Sequence, residues 1–330
     1  MEGRALGVDQ NLIELMQRRE ALLDLEPGGP PHDLPTELES VTAELKAGLE
    51  GQDLRIRSLS LATDEELLLR LAGLESIHPL DDPEDFVELG DRLAPDRRCF
   101  VLEHPGLAGH PLNVVWVALT KDTPRRIASV LGRDRERIAP DEADTAVFYS
   151  IWSVERGLRG IPGGASLLGL AMKQLRLEFP QVRTFVTLSP IPGFRQWASQ
   201  RGADGDPTAE GAGVDLVGSN SADSDEARIA VPGEESHAEL MGACARYLTE
   251  IGPDGRLIDP VARFHMRNGA RLWRINWHGD LSARGLDRAW GLMANYRYEP
   301  EDREANKSAL ANERPTVGAE VETLLHEFRA

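Results

Sequence analysis

Basic residues are scarce in this chain, cysteine is nearly absent, and no apolar run is long enough to enter a membrane. Lys and Arg number 37 against 55 Asp and Glu, a formal net charge of -18 with a pI near 4.9. So acidic a surface repels phosphate backbones and anionic lipid, which excludes nucleic acid and membrane as expected partners. Arginine-rich spots around 123–137 and 263–274 are the local exceptions, and they leave room for a small phosphorylated ligand. The two cysteines, Cys99 and Cys244, have no CxxC spacing, so two reduced, buried thiols are expected and no metal site. A run of about 18 apolar residues, the length a membrane helix needs, does not occur. The opening MEGRALGVDQNLIELMQRRE lacks the apolar core of a signal peptide, which points to a cytoplasmic protein.

With 330 residues, 41% of them apolar, the chain can bury one large core, or one core and a smaller domain. The first ninety residues read as helices with breaks: NLIELMQRREALLDL, TELESVTAELKAGLE, ATDEELLLRLAGLESI and DPEDFVELGDRL. From about residue 97 the pattern turns to strands, with CFVLEH and NVVWVAL joined by the hairpin-like HPGLAGHP, then TAVFYSIW. A glycine-rich loop, RGLRGIPGGA, leads into SLLGLAMKQLRLEF, whose Leu168, Ala171, Met172, Leu175 and Phe179 repeat at helical period. The extended VRTFVTLS follows, so strand, loop, helix and strand form a βαβ-like unit. Residues 199–239 are acidic and poor in large apolar side chains, and read as a flexible surface insertion. RLWRINW alternates like a strand, and RAWGLMANYRYE fits either a helix or a further strand.

Three places could carry chemistry. The glycine-rich loop frees backbone N–H groups at a helix start, where they and the dipole favour a phosphate; an ordinary tight turn is the plainer reading. It is neither GxGxxG after a first strand nor a GK[ST] loop, so dinucleotide and P-loop folds are poor fits. Ser189 leaves a strand into P-I-P-G, either as a turn-capping serine or as a hydroxyl held at a strand edge. It is not the centre of a G-x-S-x-G elbow, so hydrolase chemistry is not indicated. His265 precedes an Asn-Gly turn between strand-like runs, with His104, His110 and His278 as rivals.

Several blocks together resemble the catalytic region of the malonyl-CoA decarboxylase family. They are LAPDRRCFVLEHPGLAGHPLNVVWVALT, GLRGIPGGASLLGLAMKQLRLEFP, TFVTLSPIPGFRQW, DPVARFHMRNGARLWRINW and GLMANYRYE, in the family's order over roughly residues 92–300. The resemblance implies a mixed α/β catalytic domain resembling the fold of the GCN5-related N-acetyltransferases, over 91–330, after a short helical region over 1–90. Arg159, Gly160, Ile161, Pro162, Gly163, Gly164 and Ala165 then match the acyl-CoA-binding loop. Ser189 matches an active-site serine, His265 an active-site histidine, and Tyr298 a tyrosine near the substrate. The implied reaction is metal-independent decarboxylation of malonyl-CoA to acetyl-CoA and CO2, with no cofactor beyond the coenzyme A of the substrate, in a homo-oligomer. An acyl-CoA-dependent acyltransferase and a non-catalytic acyl-CoA-binding protein are the alternatives. Pro162 departs from the pattern, since some relatives carry a glutamate there.

Overall fold

The computed structural model describes residues 9–25, 34–49, 54–82, 86–161, 164–203 and 234–328. The chain forms two compact units: one up to Leu119 with 139–141 and 148–182, the other from 120–138, 142–147 and 183 onward.

In the first unit, α1 (Gln10–Leu25) packs along α2 (Leu34–Leu49). The short β1 (Arg55–Ser58) follows, then α3 (Leu61–Leu74) and α4 (Phe86–Asp91). β1 corrects the expectation of a wholly helical start. Its RIRS has no apolar alternation to announce it, and it exists because it pairs antiparallel with β2 (Arg97–Glu103), Arg55 opposite Glu103. β2 pairs antiparallel in turn with β3 (Asn113–Thr120), as the hairpin-like linker suggests. Every β3 residue from Asn113 to Leu119 is buried, so its unbroken apolar run is a strand covered on both faces. β4 (Thr145–Ser153) gives its residues from Phe148 on to this unit.

The glycine-rich stretch feeds α5 (Gly164–Glu178), which lays Leu167, Leu168, Ala171 and Leu175 against β2 and β1. Each leucine so buried contributes about 1.5–3 kcal/mol, enough to hold in place a 15-residue helix that would be marginal alone in water. Glu75, just past α3, is a buried carboxylate with four donors. It accepts from the N–H groups of Ile77 and His78, from Ser150 Oγ at 2.6 Å and from Trp152 Nε1 at 3.1 Å. That set satisfies a buried charge that would otherwise be costly.

The second unit is built around β8 (Met293–Tyr298). β5 (Thr184–Thr187) and β6 (Ser189–Pro190) pair with one of its edges and β7 (Arg271–Asn276) with the other, all antiparallel. Pairing runs one residue past Ser189, where Pro190 faces Met293. α6 (Phe194–Ala203) and α7 (Glu234–Thr249) pack on each other. The expected insertion 199–239 is therefore helical at both ends, and its residues 204–233 lie outside the described residues. α8 (Pro260–Arg267) precedes β7. α9 (Ala283–Ala289) ends in front of β8, so RAWGLMANYRYE is the end of a helix followed by a strand. α10 (Arg303–Ala311) and α11 (Ala319–Glu327) complete the unit.

Among the described residues the fold is mixed α/β, with two helices ahead of the first strand. Cys99 and Cys244 are free and buried, as expected. No described helix is long and apolar enough to cross a membrane.

Candidate active site

Ser189 sits opposite Ala294 on β8, and the alternation of that strand puts Tyr296 and Tyr298 on the same face as Ala294. α8 brings the histidine to this face. Asp259 caps the helix by accepting from Ala262 N–H at 2.7 Å, and Pro260 occupies the first turn, where a missing N–H costs nothing. Ala262, His265 and Met266, spaced at one helical turn, form the buried side. Gly269 then ends the helix with φ at +90°, a left-handed geometry that favours glycine, and an added Cβ there would collide with Arg303. His265 is thus a helical residue and not a neighbour of strand ends. The signal that could have revealed this is D-P-V-A, an N-cap followed by proline.

The side chains form one hydrogen-bonded chain. Ser189 Oγ lies 3.2 Å from His265 Nε2, and His265 Nδ1 lies 2.8 Å from Tyr298 Oη. Ser189 donates its own proton to Thr187 Oγ1 at 2.9 Å. With that proton committed, the serine oxygen is free to accept from Nε2–H, which leaves Nδ1 to accept from the Tyr298 hydroxyl. The imidazole is held between rings as well. Tyr296 stacks on it at 4.7 Å and 24°, and Phe264 meets it edge-on at 5.0 Å.

All the members of this chain are buried, and burial decides their charge. Desolvation lowers His265 from 6.5 to about 3, so the ring is neutral across the physiological range. An imidazolium acid near neutral pH, which the ordinary histidine value suggests, is thereby replaced by a neutral N–H donor. Burial pushes the Tyr298 hydroxyl well up, against a smaller opposing pull from Arg303, so it keeps its proton. Asp259 is also raised, by burial first and against its hydrogen bond from Ala262 N–H.

Of the residues singled out from the sequence, Ser189, His265 and Tyr298 come together in this cluster. His104, His110 and His278 take other places. His104 caps the turn Pro105–Leu107 by accepting from Gly106 N–H, and His110 pairs with Glu155 at 3.1 Å. His278 stacks on Trp277 at 4.8 Å. The loop residues Arg159 to Ala165 belong to the first unit; Arg159, Gly160 and Ile161 follow the turn Arg156–Leu158, while Pro162 and Gly163 lie outside the described residues. Gly160 has φ at +74°, a left-handed geometry that favours glycine. Sequence reasoning missed Arg19, a buried arginine of α1 that donates to Thr42 Oγ1 at 2.8 Å and to the Gly157 carbonyl at 2.7 Å. It ties the N-terminal helices to the turn that opens the glycine-rich loop. Among the described residues no three His, Cys, Asp or Glu side chains gather as a metal site would need.

Comparison with known proteins finds relatives over most of the chain. The model of the malonyl-CoA decarboxylase C-terminal domain matches residues 53–328. The mitochondrial malonyl-CoA decarboxylase of Anser anser anser is 36% identical over 270 residues, covering 74% of this chain and 52% of that protein. The mitochondrial enzyme of Rattus norvegicus is 33% identical, over 80% of this chain and 58% of its own. The chain thus spans little more than half the length of these relatives. Among solved structures, malonyl-CoA decarboxylase from Rhodopseudomonas palustris superposes with a TM-score of 0.80 at 35% identity, over 94% of this chain and 71% of that one. The Agrobacterium vitis protein gives 0.79 at 35% identity, over 96% and 76%. The mitochondrial names of the bird and rat relatives overturn the cytoplasmic location expected from the opening residues.

Proposed function

Because the chain belongs to the malonyl-CoA decarboxylase family, we propose that it converts malonyl-CoA to acetyl-CoA and CO2, with Ser189 and His265 as the catalytic pair. The observation that carries this reading is the continuous chain from Tyr298 through His265 to Ser189, buried and of fixed polarity.

Decarboxylation breaks the bond between C2 and the carboxylate. Its electron pair moves onto the thioester, making an enolate, and C2 then takes a proton. The thioester accepts the electrons itself, so the protein must orient the acyl group, donate to the enolate oxygen and supply the proton. Ser189 Oγ–H, once it turns from Thr187 to the acyl group, and His265 Nε2–H are neutral donors in a desolvated setting, where a hydrogen bond to developing charge is strongest. A thioester enolate is a far stronger base than either group. When C2 takes the serine proton, Nε2–H replaces it on Oγ and the Tyr298 proton moves to Nδ1, so the charge passes from the substrate to the Tyr298 oxygen, where Arg303 offsets it until one proton taken up from water restores the hydroxyl. Delivery straight from Nε2 to C2 balances equally well. The ground-state carboxylate is charged whereas CO2 is neutral, so a dry acyl site favours bond breaking.

In the same reading, Arg159 to Ala165 bind the coenzyme A diphosphate through backbone N–H groups at the start of α5. A homo-oligomer belongs to it as well, and light scattering that found only a 36.3 kDa particle would reject that part. The decisive experiment incubates the protein with malonyl-CoA and no acceptor. Acetyl-CoA and CO2 in equal amounts are expected. Free CoA that appears only when an amine or alcohol is added would mean an acyltransferase, and no turnover with retained acyl-CoA binding would mean a binding protein.

A further inference from the structure

The strand carrying Ser189 does not pair continuously with β8. Phe185 faces Tyr298 and Val186 faces Arg297; Ser189 faces Ala294 and Pro190 faces Met293. The register is the same on both sides of the gap, so no residue has been inserted, yet Thr187 and Leu188 make no ladder pair. Two side chains occupy the positions of the missing bonds. The N–H of Tyr296, which a closed ladder would direct at the Thr187 carbonyl, goes to Thr187 Oγ1 at 3.1 Å. The Thr187 carbonyl accepts from Asn295 Nδ2 at 2.6 Å.

The orientation of Asn295 is set by its surroundings. Its Oδ1 accepts from Asn276 Nδ2 at 2.8 Å and from Arg274 Nη2 and Nε at 2.9 and 3.2 Å, so only Nδ2 remains for the carbonyl. Arg274 is itself buried, and Nη2 also reaches the carbonyls of Thr123 and Pro124 at 3.2 and 3.4 Å. A buried guanidinium used in this way holds a backbone geometry in place, because moving any of its acceptors would strand a charge without partners.

We propose that Thr187 and Asn295 are positioning residues that hold the strand open beneath Ser189, with the Thr187 hydroxyl setting the direction of the proton chain. This rests on the decarboxylase reading. Thr187 Oγ1 spends one lone pair on Tyr296 N–H and the other on Ser189 Oγ–H. By drawing the serine proton to itself it makes Ser189 an acceptor toward His265, and so keeps the imidazole in its Nε2–H tautomer. Without that hydroxyl the serine can turn its proton to Nε2, and the ring is then pushed toward the Nδ1–H form, the wrong donor for the substrate.

Thr187→Val keeps shape and burial but removes the hydroxyl; Thr187→Ser keeps the hydroxyl. Thr187→Val should lower kcat about 10- to 100-fold, the loss of one to two such hydrogen bonds in the transition state. KM and the affinity for acetyl-CoA should stay within about threefold, and Thr187→Ser should recover most of kcat. Side-chain ¹⁵N NMR of His265 should show Nε2–H in the parent and in Thr187→Ser, and a shift toward Nδ1–H in Thr187→Val. Should the valine variant not fold, Thr187→Ala carries the same measurements. Unchanged kcat in the valine variant, a serine variant as slow as the valine one, or a tautomer indifferent to residue 187 would each overturn the proposal. A parent protein that leaves malonyl-CoA intact would instead remove the decarboxylase reading, and the NMR comparison would still decide the role of Thr187.

Discussion

Tyr296 and Tyr298 point the same way from β8, both are buried, and both touch His265, which allows one chemical change to be made twice. Tyr298 Oη is bonded to Nδ1 at 2.8 Å, whereas Tyr296 Oη has no hydrogen-bond partner among the described residues and offers the imidazole only its ring face. Replacing either tyrosine by phenylalanine removes one oxygen and keeps the ring. At Tyr298 the change breaks a hydrogen bond and leaves Nδ1 buried and unpaired, which costs about 1–3 kcal/mol of stability. At Tyr296 it removes a buried polar atom that already lacks a partner, so stability should be unchanged or higher by up to about 1 kcal/mol. Activity should divide in the same way. Tyr298→Phe should lower kcat about 10- to 100-fold, because the ring loses the donor that holds Nδ1 as an acceptor, while Tyr296→Phe should stay within about threefold. Urea denaturation followed by circular dichroism reads the first quantity, and release of CO2 from malonyl-CoA reads the second. Equal losses in the two variants, or a larger loss at Tyr296, would refute the polarity assigned to the chain.

Ser189→Ala and His265→Asn should each lower kcat by roughly 10²–10⁴ with little change in acetyl-CoA affinity, and the double variant should fall well short of the product because the two act on one transition state. Since burial holds His265 near about 3 instead of 6.5, kcat/KM should show no inflection near 6.5 from this group. An unfolded chain binds that proton first, so the fold should lose up to about 1.4 kcal/mol per pH unit as pH falls from 6.5 toward 3; His265→Asn should flatten that slope in urea midpoints measured against pH. Gly164→Val should weaken coenzyme A binding strongly in calorimetry by blocking backbone approach to the diphosphate, and unchanged affinity would detach residues 159–165 from that role.

Local pattern in the chain was enough for most elements, because helical and strand periodicities are set by near neighbours. NVVWVAL reads as a strand from its β-branched apolar run, and the spacing of Leu168, Ala171 and Leu175 reads as a helix with one face in the core. β1 escaped because RIRS draws its stability from pairing with β2, more than forty residues away along the chain. α8 escaped because eight residues are too few to display a period, although its cap and proline were legible.

The blocks around Ser189, His265 and Tyr298 identified the family from residue types alone, yet the state of those groups was not written in them. A histidine between Phe264 and Met266 could sit in water with its ordinary affinity for protons. It is neutral here because Tyr296, Tyr298 and Ser189 close around it, and desolvation depends on everything packed nearby. Thr187 and Asn295 lie within those blocks, but their residue types do not announce the contact between them. Their effect runs through two hydrogen bonds between residues more than a hundred positions apart, and a single open rung in a ladder exists only once both strands are in register. The chain by itself therefore determined which side chains were available and in what local shapes. Tertiary structure alone decided which of them meet, how dry they are and which way their protons point, because burial and hydrogen-bond direction are properties of the assembled neighbourhood.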